Sequence, residues 1–295
     1  MTVGVALRLL AVMVLWASCF PLITVGLDLA PHLAFAAMRA ALAGLCLIAL
    51  GASFRRPVPQ GVRSWALVAL VGFGATSLGF LGMFHAAEFV SPGPATVIAN
   101  AQPLLAAVLA HVFLRERLMV LGKTGLMAGF VGIAAIAWPG LASGDIRGYT
   151  LGIAYVVLAA AGVSIGNIGI KSLTGQVDAM MAMGFQLLIG TAPLALLSML
   201  TEDISSLAWS AGFVLVLMVL SVFGTSLAFW LWFAALEEVE LTRANAFTFL
   251  VPIFGLGIGA ALFEERLGWI QAAGVMLVLT GIVLVQRDAR AQTRP

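Results

Sequence analysis

The stretch 225–237, TSLAFWLWFAALE, repeats the stretch 76–88, TSLGFLGMFHAAE, at an offset of 149 residues. The same offset aligns Pro103 with Pro252, and the aligned stretch ends with Glu-Arg-Leu at 116–118 and 265–267. It contains 13 identities in 43 gap-free pairs. Apolar composition alone does not align a proline, acids and an arginine in one register. The sequence therefore predicts an internal duplication.

Composition restricts the class of protein. The chain has 295 residues, of which 62% are hydrophobic and 9% charged, with a mean hydropathy of +1.10. Soluble domains are about 25% charged. These values exclude a soluble enzyme, a nucleic-acid-binding protein and a disordered chain. Cys19 and Cys46 both lie in apolar runs, and two cysteines do not make a disulfide framework or a zinc site. What remains is an integral membrane protein.

Apolar runs divide the chain into spans. A bilayer core needs roughly 20 apolar residues per helix. Runs of this kind indicate an all-α membrane protein with ten transmembrane helices, and no linker between them is long enough for a soluble domain. The predicted helices are about 5–26, 33–53, 64–86, 93–114, 122–139, 147–171, 179–200, 209–235, 243–263 and 269–286.

The duplication and the span count together predict the topology. Each copy, 1–143 and 144–295, holds five helices, and five is odd, so the second copy enters the membrane upside down. Inverted repeats are typical of secondary transporters that bind substrate near mid-membrane. Basic residues gather on the N-terminal side, which predicts cytoplasmic termini in an inner (plasma) membrane. That side holds Arg8, Arg55, Arg56, Arg63, Arg115, Arg117, Lys123, Lys171, Arg243, Arg287, Arg290 and Arg294, against Arg147 and Arg266 opposite.

Several of these stretches resemble a known family. Trp16-Ala-Ser-Cys-Phe20, Arg39 in the second helix, and the hairpins 103–118 and 252–267 resemble the EamA family of the drug/metabolite transporter superfamily. That resemblance implies ten helices in two inverted five-helix repeats and the export of amino acids, drugs or other metabolites. An aromatic-rich set further resembles the YddG-like amino-acid exporters. It consists of Trp16, Phe20, Phe80, Phe84 and Trp230.

The acidic residues bear on the substrate. All thirteen lie at helix ends or in loops of the predicted topology. An exporter of lipophilic cations is expected to bury a carboxylate, so this distribution favours a neutral or zwitterionic small molecule held by dipoles and aromatic faces. We expect no catalytic residue, metal, cofactor or nucleic-acid partner, and a monomer in the bilayer, with a dimer left open.

Two prolines predict hinges. Pro103 and Pro252 fall about ten residues into the fourth and ninth predicted helices, where proline removes a helical hydrogen bond. The freed carbonyls are those of Ala99 and Thr248, and in lipid they need a partner. Asn100 and Gln102 flank the first proline, and Asn245 precedes the second. The functional interpretation is a pair of pivots lining a cavity; the alternative is a bend that serves packing.

Further candidates lie in helices one, three, six and eight. Ser164 and Asn167 share a helix face, and Ser18 lies at a comparable place in helix one. Hydrogen bonding between packed helices is the alternative to a cavity role. Trp16 and Trp230 lie well inside their helices, unlike tryptophans of an interfacial belt. The predicted substrate-binding set is Trp16, Ser18, Phe20, Phe80, Phe84, Ala99, Asn100, Ser164, Asn167, Trp230, Asn245 and Thr248, with Pro103 and Pro252 as hinges.

Arg39 is a basic residue inside a span. A buried guanidinium needs a partner, and the candidates are Asp28, Glu88 or a helix C-terminal carbonyl. We expect a structural or gating role for Arg39, tying the outer end of helix two or snorkelling. Binding of a substrate carboxylate stays open.

The functional prediction is a secondary transporter, not an enzyme, that exports aromatic or large neutral amino acids and related metabolites by alternating access. Helices 1, 3, 4, 6, 8 and 9 would line its cavity, and helices 5 and 10 would support it. A drug or nucleoside exporter is the alternative within the class. An intramembrane enzyme or sensor is the alternative outside it. Gly162-Val-Ser164-Ile-Gly166 matches a hydrolase elbow, but that motif needs a strand-to-helix turn and this one lies in an apolar helix.

Overall fold

The chain folds as a bundle of apolar helices. The computed structural model describes residues 2–99, 105, 119–142, 146–239, 244, 247–264 and 268–292. Within these ranges the regular elements are all helical, which confirms the all-α prediction. The predicted fourth helix, 93–114, lies mostly outside the described residues.

The helices are numbered in chain order. The first part contains α1 Val3–Ala17, α2 Cys19–Leu27, α3 His32–Ser53, α4 Val62–Val71, α5 Gly79–Phe89, α6 Pro92–Ala99 and α7 Val120–Ala142. The second part contains α8 Ile146–Leu173, α9 Ala179–Thr201, α10 Ala211–Ser221, α11 Ala228–Glu238, α12 Leu250–Leu262 and α13 Trp269–Gln292. Two π-helical segments, Gly72–Leu78 and Val222–Leu227, join α4 to α5 and α10 to α11, and 3₁₀ turns lie at Ile204–Ser206 and Phe247–Phe249.

Six helical stretches of the described chain are long and apolar enough to cross a bilayer. They are Val3–Leu27, His32–Ser53, Val62–Phe89, Arg147–Leu173, Ala179–Thr201 and Ala211–Glu238. Shorter apolar helices occur at Val120–Ile136, Ile253–Leu262 and Trp269–Leu284. Each of these six helical stretches coincides with a predicted span to within a few residues. The protein is therefore a multi-pass membrane protein.

The first span is broken at Ser18. Pro21 lies in the first turn of α2 and has no N–H to donate to the carbonyl of Ala17. At the break, the Ser18 hydroxyl donates to the carbonyl of Leu15, at 2.8 Å. The structure therefore differs from the single continuous helix that the sequence predicts here, because Pro21 interrupts the hydrogen-bond ladder.

The π-helical segments place hydroxyl groups at the same points of the two matching sequence stretches. Thr225 and Ser226 donate to the carbonyls five residues before them, at 2.8 and 2.9 Å. Ser77, which matches Ser226, also lies within 3.4 Å of the carbonyl of Gly72. A π-helical turn of this kind re-aims side chains and is frequent at functional sites.

Glycines bring α7 and α13 into direct backbone contact. A Cβ on Gly132 would lie 2.6 Å from the carbonyl oxygen of Gly274, and one on Gly281 would lie 2.5 Å from that of Gly125. Residue numbers rise along one helix as they fall along the other, so the two helices are antiparallel. The α3–α9 pair is also antiparallel, because Gly44 meets Gly184 and Gly51 meets Met181.

Polar contacts tie the helix ends together at both ends of the bundle. At the end that holds the start of α1, Arg8 and Glu238 form an ion pair at 2.6 Å. At the other end, Glu202 accepts hydrogen bonds from the amides of Leu33 and Ala34, at 2.7 and 2.9 Å. This carboxylate satisfies amides at the N-terminus of α3 that have no partner within the helix.

Lys171, at the end of α8, closes the C-terminus of α11. Its Nζ donates to the carbonyls of Leu236 and Val239, at 2.8 and 3.2 Å. A cation at this position satisfies orphan carbonyls and complements the negative end of the helix dipole.

We expect Lys171→Met to lower the free energy of unfolding by about 1.5–3 kcal/mol, because hydrogen bonds to charged groups contribute about that much. Methionine keeps most of the aliphatic stem and removes the ammonium. The measurement is unfolding in detergent or nanodiscs. Lys123→Met, at an exposed position of α7, is the matched control. Equal effects of the two changes would contradict this role for Lys171.

Candidate functional site

A narrow cavity lies among the helices in the middle of the bundle. Its volume is about 100 Å³, below the roughly 300–1,000 Å³ of sites that enclose a ligand. The cavity must widen to hold an organic molecule. We call it the central cavity; its lining residues are Trp16, Cys19, Phe20, Arg39, Ala75, Gly79, Phe80, Met83, Thr96, Ala99, Ala159, Ala160, Val163, Asn167, Gly224, Phe229, Thr248 and Val251.

The walls of the central cavity are apolar and partly aromatic. The Trp16 and Phe229 rings meet edge to face with centroids 6.4 Å apart, and Phe20 and Phe80 are 2% and 4% exposed. Among the described lining residues, Arg39 is the one charged side chain. Asn167, Thr96 and Thr248 supply the neutral polar groups. Such a surface suits an apolar body that carries one anionic group.

Arg39 is buried to 2% exposure, and its described partners are one hydroxyl group, two sulfur atoms and two phenylalanine rings. Its Nε donates to Thr225 Oγ1 at 2.8 Å, and its Nη2 lies 3.2 Å from Cys19 Sγ. The guanidinium carbon stands 4.5 Å from the centre of the Phe80 ring. Gly224 packs closely beside the group, since a Cβ there would lie 3.3 Å from Cys19 Sγ and 3.8 Å from Nη2.

The partners of Arg39 differ from those expected. They include neither Asp28 nor Glu88, because Glu88 lies beside the His32 ring, 3.4 Å away, at the end of the bundle. Snorkelling is excluded by the burial of Arg39, and a structural or gating role stays a prediction.

Asn167 joins the central cavity to a tryptophan behind its wall. Its Oδ1 accepts a hydrogen bond from Trp232 Nε1 at 3.1 Å. The Trp232 ring is fully buried and lies 5.1 Å, centroid to centroid, from Trp16. Trp232 therefore holds two cavity residues in place without lining the cavity itself.

The structure brings six predicted binding residues to the central cavity and places four elsewhere. Those that line it are Trp16, Phe20, Phe80, Ala99, Asn167 and Thr248. Ser18 and Ser164 donate to carbonyls of their own helices, at 2.8 Å in both cases. Phe84 is packed in the core against Phe35. Trp230 lines a different cavity.

That second cavity, of about 630 Å³, opens at the end of the bundle that holds Arg8. It lies between the 56–60 loop, the 175–180 turn and α11, and Arg56, Asp178 and Glu237 line it beside Trp230. The two cavities share no lining residue among those described.

Of the two predicted hinges, the structure describes the backbone of Pro252 and not Pro103. Pro103, Asn100 and Asn245 lie outside the described residues. Pro252 is the third residue of α12, which follows the 3₁₀ turn Phe247–Phe249. Pro252 thus marks the start of α12, as Pro21 marks the start of α2, and this position differs from the mid-helix one expected.

Sequence reasoning missed Phe229, Gly224, Cys19, Met83 and Thr96. The offset of 149 residues held a usable signal for Phe229, because it pairs this residue with Phe80 of the predicted set; Ala75 and Gly224 form a second pair. It also pairs Ala99 with Thr248. All three pairs line the central cavity.

Comparison with known proteins gives a consistent result. The EamA-like transporter family matches residues 3–138 and 150–287. A WAT1-related chloroplastic protein of Arabidopsis thaliana is 30% identical over 85% of this chain, which spans 61% of that protein's length. A Salmonella typhimurium protein named "Probable amino-acid metabolite efflux pump" is 30% identical over 95% of this chain and 96% of its own. A solved crystal structure covers 100% of both chains with a TM-score of 0.68 and 19% identity, which shows the shared fold.

Proposed function

Because the chain belongs to the EamA-like transporter family, we propose that it is a secondary transporter that exports aromatic or large neutral amino acids by alternating access. The relative from Salmonella typhimurium is named for amino-acid metabolite efflux, and the substrate class suggested by that name comes to this chain as part of the proposal. The transporter acts in the inner (plasma) membrane with both termini in the cytoplasm.

The central cavity carries the proposal. Trp16, Phe80 and Phe229 give it flat apolar surfaces, which suit an aromatic or long aliphatic side chain. Asn167 and Arg39 give it polar groups near those surfaces. No carboxylate lines it among the described residues, which disfavours a lipophilic cation.

Ten helices in two inverted repeats, 1–143 and 144–295, form part of the same proposal. The antiparallel pairing of α7 with α13 supports it, since Gly125 and Gly132 match Gly274 and Gly281 at the offset of 149 residues. The three matched pairs in the cavity wall also support it, because transporters with inverted repeats bind substrate between the repeats.

The size of the central cavity supports alternating access as part of the proposal. A space of about 100 Å³ is too small for an aromatic amino acid, so the cavity widens toward one membrane surface to load and toward the other to release. The 3₁₀ turn before Pro252 is a place in the described chain where the backbone departs from regular α-helix. We assign the hinge role to this segment and to Pro103.

We expect purified protein in proteoliposomes to catalyse saturable counterflow of labelled phenylalanine. Phe80→Ala, which removes a cavity wall, should lower the initial rate about 5- to 150-fold, as expected for a loss of about one to three kcal/mol of apolar contact. Phe73→Ala is the matched control, because Phe73 lies in the neighbouring π-helical segment Gly72–Leu78 and is 52% exposed.

Four outcomes would contradict the proposal. Transport of a cationic dye without phenylalanine would indicate a drug exporter, and transport of a nucleoside alone would indicate the other alternative in this class. Conductance without saturation or counterflow would indicate a channel. An activity lost entirely in Ser164→Ala would favour an intramembrane enzyme.

A further inference from the structure

Among the residues that the structure describes, no acidic side chain pairs with the charge of Arg39. The ion pairs of the described chain join Arg8 to Glu238, His32 to Glu88 and Arg56 to Asp178, and none includes Arg39. Arginine keeps its charge under all physiological conditions. Burying a charge without a counter-charge is strongly unfavourable, and at membrane depth such a residue marks a functional site by default.

The hydrogen bonds of Arg39 leave capacity for a ligand. A guanidinium has five N–H donors. The described acceptors are one hydroxyl, of Thr225, and two sulfur atoms, of Cys19 and Met83, the latter at 3.9 Å from Nη1. Sulfur is a weak acceptor. A carboxylate entering the cavity would replace weak partners by a strong, charge-assisted pair.

The contact between α9 and the π-helical segment Gly72–Leu78 corresponds to the contact between α3 and Val222–Leu227, and it contains no charged side chain. Thr225 meets Arg39, and the neighbouring Ser226 donates to the carbonyl of Ala43 at 2.9 Å. In the matching π-helical segment, Thr76 donates to Gln186 Oε1 at 2.8 Å, and Ser77 donates to the carbonyl of Gly190 at 2.9 Å.

The two sets of contacts have the same spacing, although the hydrogen bond to the threonine is reversed: Arg39 donates to Thr225, and Gln186 accepts from Thr76. Arg39 and Ala43 are four residues apart on α3, as Gln186 and Gly190 are on α9. A neutral amide therefore makes the equivalent helix contact at Gln186, which is fully buried. The contact between the helices therefore does not require a charge at position 39. Of the two residues, Arg39 lines the central cavity and Gln186 does not.

From this geometry we infer that Arg39 binds the carboxylate of an amphiphilic organic acid whose apolar body lies against Phe80, Trp16 and Phe229. The ammonium of an amino acid has no carboxylate partner among the described lining residues, so it is dispensable. The substrate class then includes aromatic monocarboxylates that lack an amino group. The inference rests on the proposed function, because it names the chemistry of the transported molecule.

Calorimetric titration of the full-length protein in nanodiscs tests this directly. The probes are 3-phenylpropanoate, its neutral amide 3-phenylpropanamide, and phenethylamine, which share one body and differ in charge. We expect the acid to bind about 100-fold more tightly than its amide, as found when a buried charge pair is completed. We expect the cation to bind no better than the amide.

The variants separate the charge from the fold. Arg39→Gln should reduce the affinity for 3-phenylpropanoate to that for the amide, and leave binding of the amide unchanged. Arg39→Lys, which keeps the charge and loses the fork, should retain part of the preference. The thermal midpoint of Arg39→Gln should stay near that of the unaltered protein, because glutamine makes the equivalent contact at Gln186.

Several results would overturn the inference. One is equal affinity of the unaltered protein for the acid and the amide, which needs no variant. Another is equal binding of acetate and 3-phenylpropanoate, and a third is an undiminished preference for the acid in folded Arg39→Gln. Phenylalanine counterflow without this preference would leave the transport proposal standing. Binding of the acid without counterflow of either compound would remove the transport proposal alone.

Discussion

Trp232→Ala is expected to lower the free energy of unfolding by about 3–5 kcal/mol, the range for truncating a large buried aromatic residue. The indole is fully buried, packs 5.1 Å from Trp16 and donates to Asn167. Its removal leaves a cavity and a buried amide oxygen without a donor, and both effects have the same sign. Denaturant titration in mixed micelles, followed by circular dichroism, measures the loss.

Trp230→Ala is the matched control, two residues away on the same helix. Trp230 is half-buried and lines the open second cavity, so its removal should change the free energy by less than about 1 kcal/mol. Trp232→Phe keeps an aromatic ring but removes the N–H group and part of the buried ring volume, and should fall between the two, with a loss of about 1–3 kcal/mol. If the two alanine variants lose the same stability, the assignment of Trp232 as the core residue is wrong.

These two tryptophans show where the sequence stops being informative. Residues two apart on an α-helix point about 200° apart, so one of the two faces the bundle whenever the other does not. Choosing between them requires the rotation of the helix. The segment Val222–Leu227 is π-helical, which shifts that rotation relative to a regular helix. The sequence prediction selected Trp230, and the residue that contacts the site is Trp232.

The spans themselves were accessible from the sequence. The prediction 179–200 compares with Ala179–Thr201, and 33–53 compares with His32–Ser53. In lipid a single segment can satisfy its backbone polar groups only as a helix. A long apolar run between charged or polar ends therefore predicts a transmembrane helix. The EamA resemblance is confirmed by the family match over both parts of the chain.

The partners of Arg39 could not be derived in the same way. The sequence showed a cation inside a span and suggested acids near the helix ends. The observed contacts are to Thr225, Cys19 and Met83, on three other spans. Such contacts depend on helix packing between distant parts of the chain, which periodicity does not encode. The signal that was available, the matching Thr-Ser pairs at 76–77 and 225–226, marked the π-helical segments that approach α3 and α9.

Gly132→Leu is expected to lower the free energy of unfolding by about 3 kcal/mol, the upper end of the range for overpacking a close contact. A Cβ at this position would lie 2.6 Å from the carbonyl oxygen of Gly274 and 2.7 Å from the amide nitrogen of Val278. Both are backbone atoms and do not move aside as a side chain does. Accepting the new side chain requires α7 and α13 to separate along a crossing where small residues allow close approach.

Gly257→Leu in α12 is the control, because nothing lies within 4 Å of a Cβ placed there. It should change the free energy by no more than about 0.5 kcal/mol, as at other exposed positions. Since no described lining residue of the central cavity belongs to α7 or α13, the folded fraction of Gly132→Leu should bind 3-phenylpropanoate with unaltered affinity. A variant that stays as stable as the control would show that the glycine crossing does not hold the bundle together. Stability retained with binding lost would instead make this helix pair part of the substrate site.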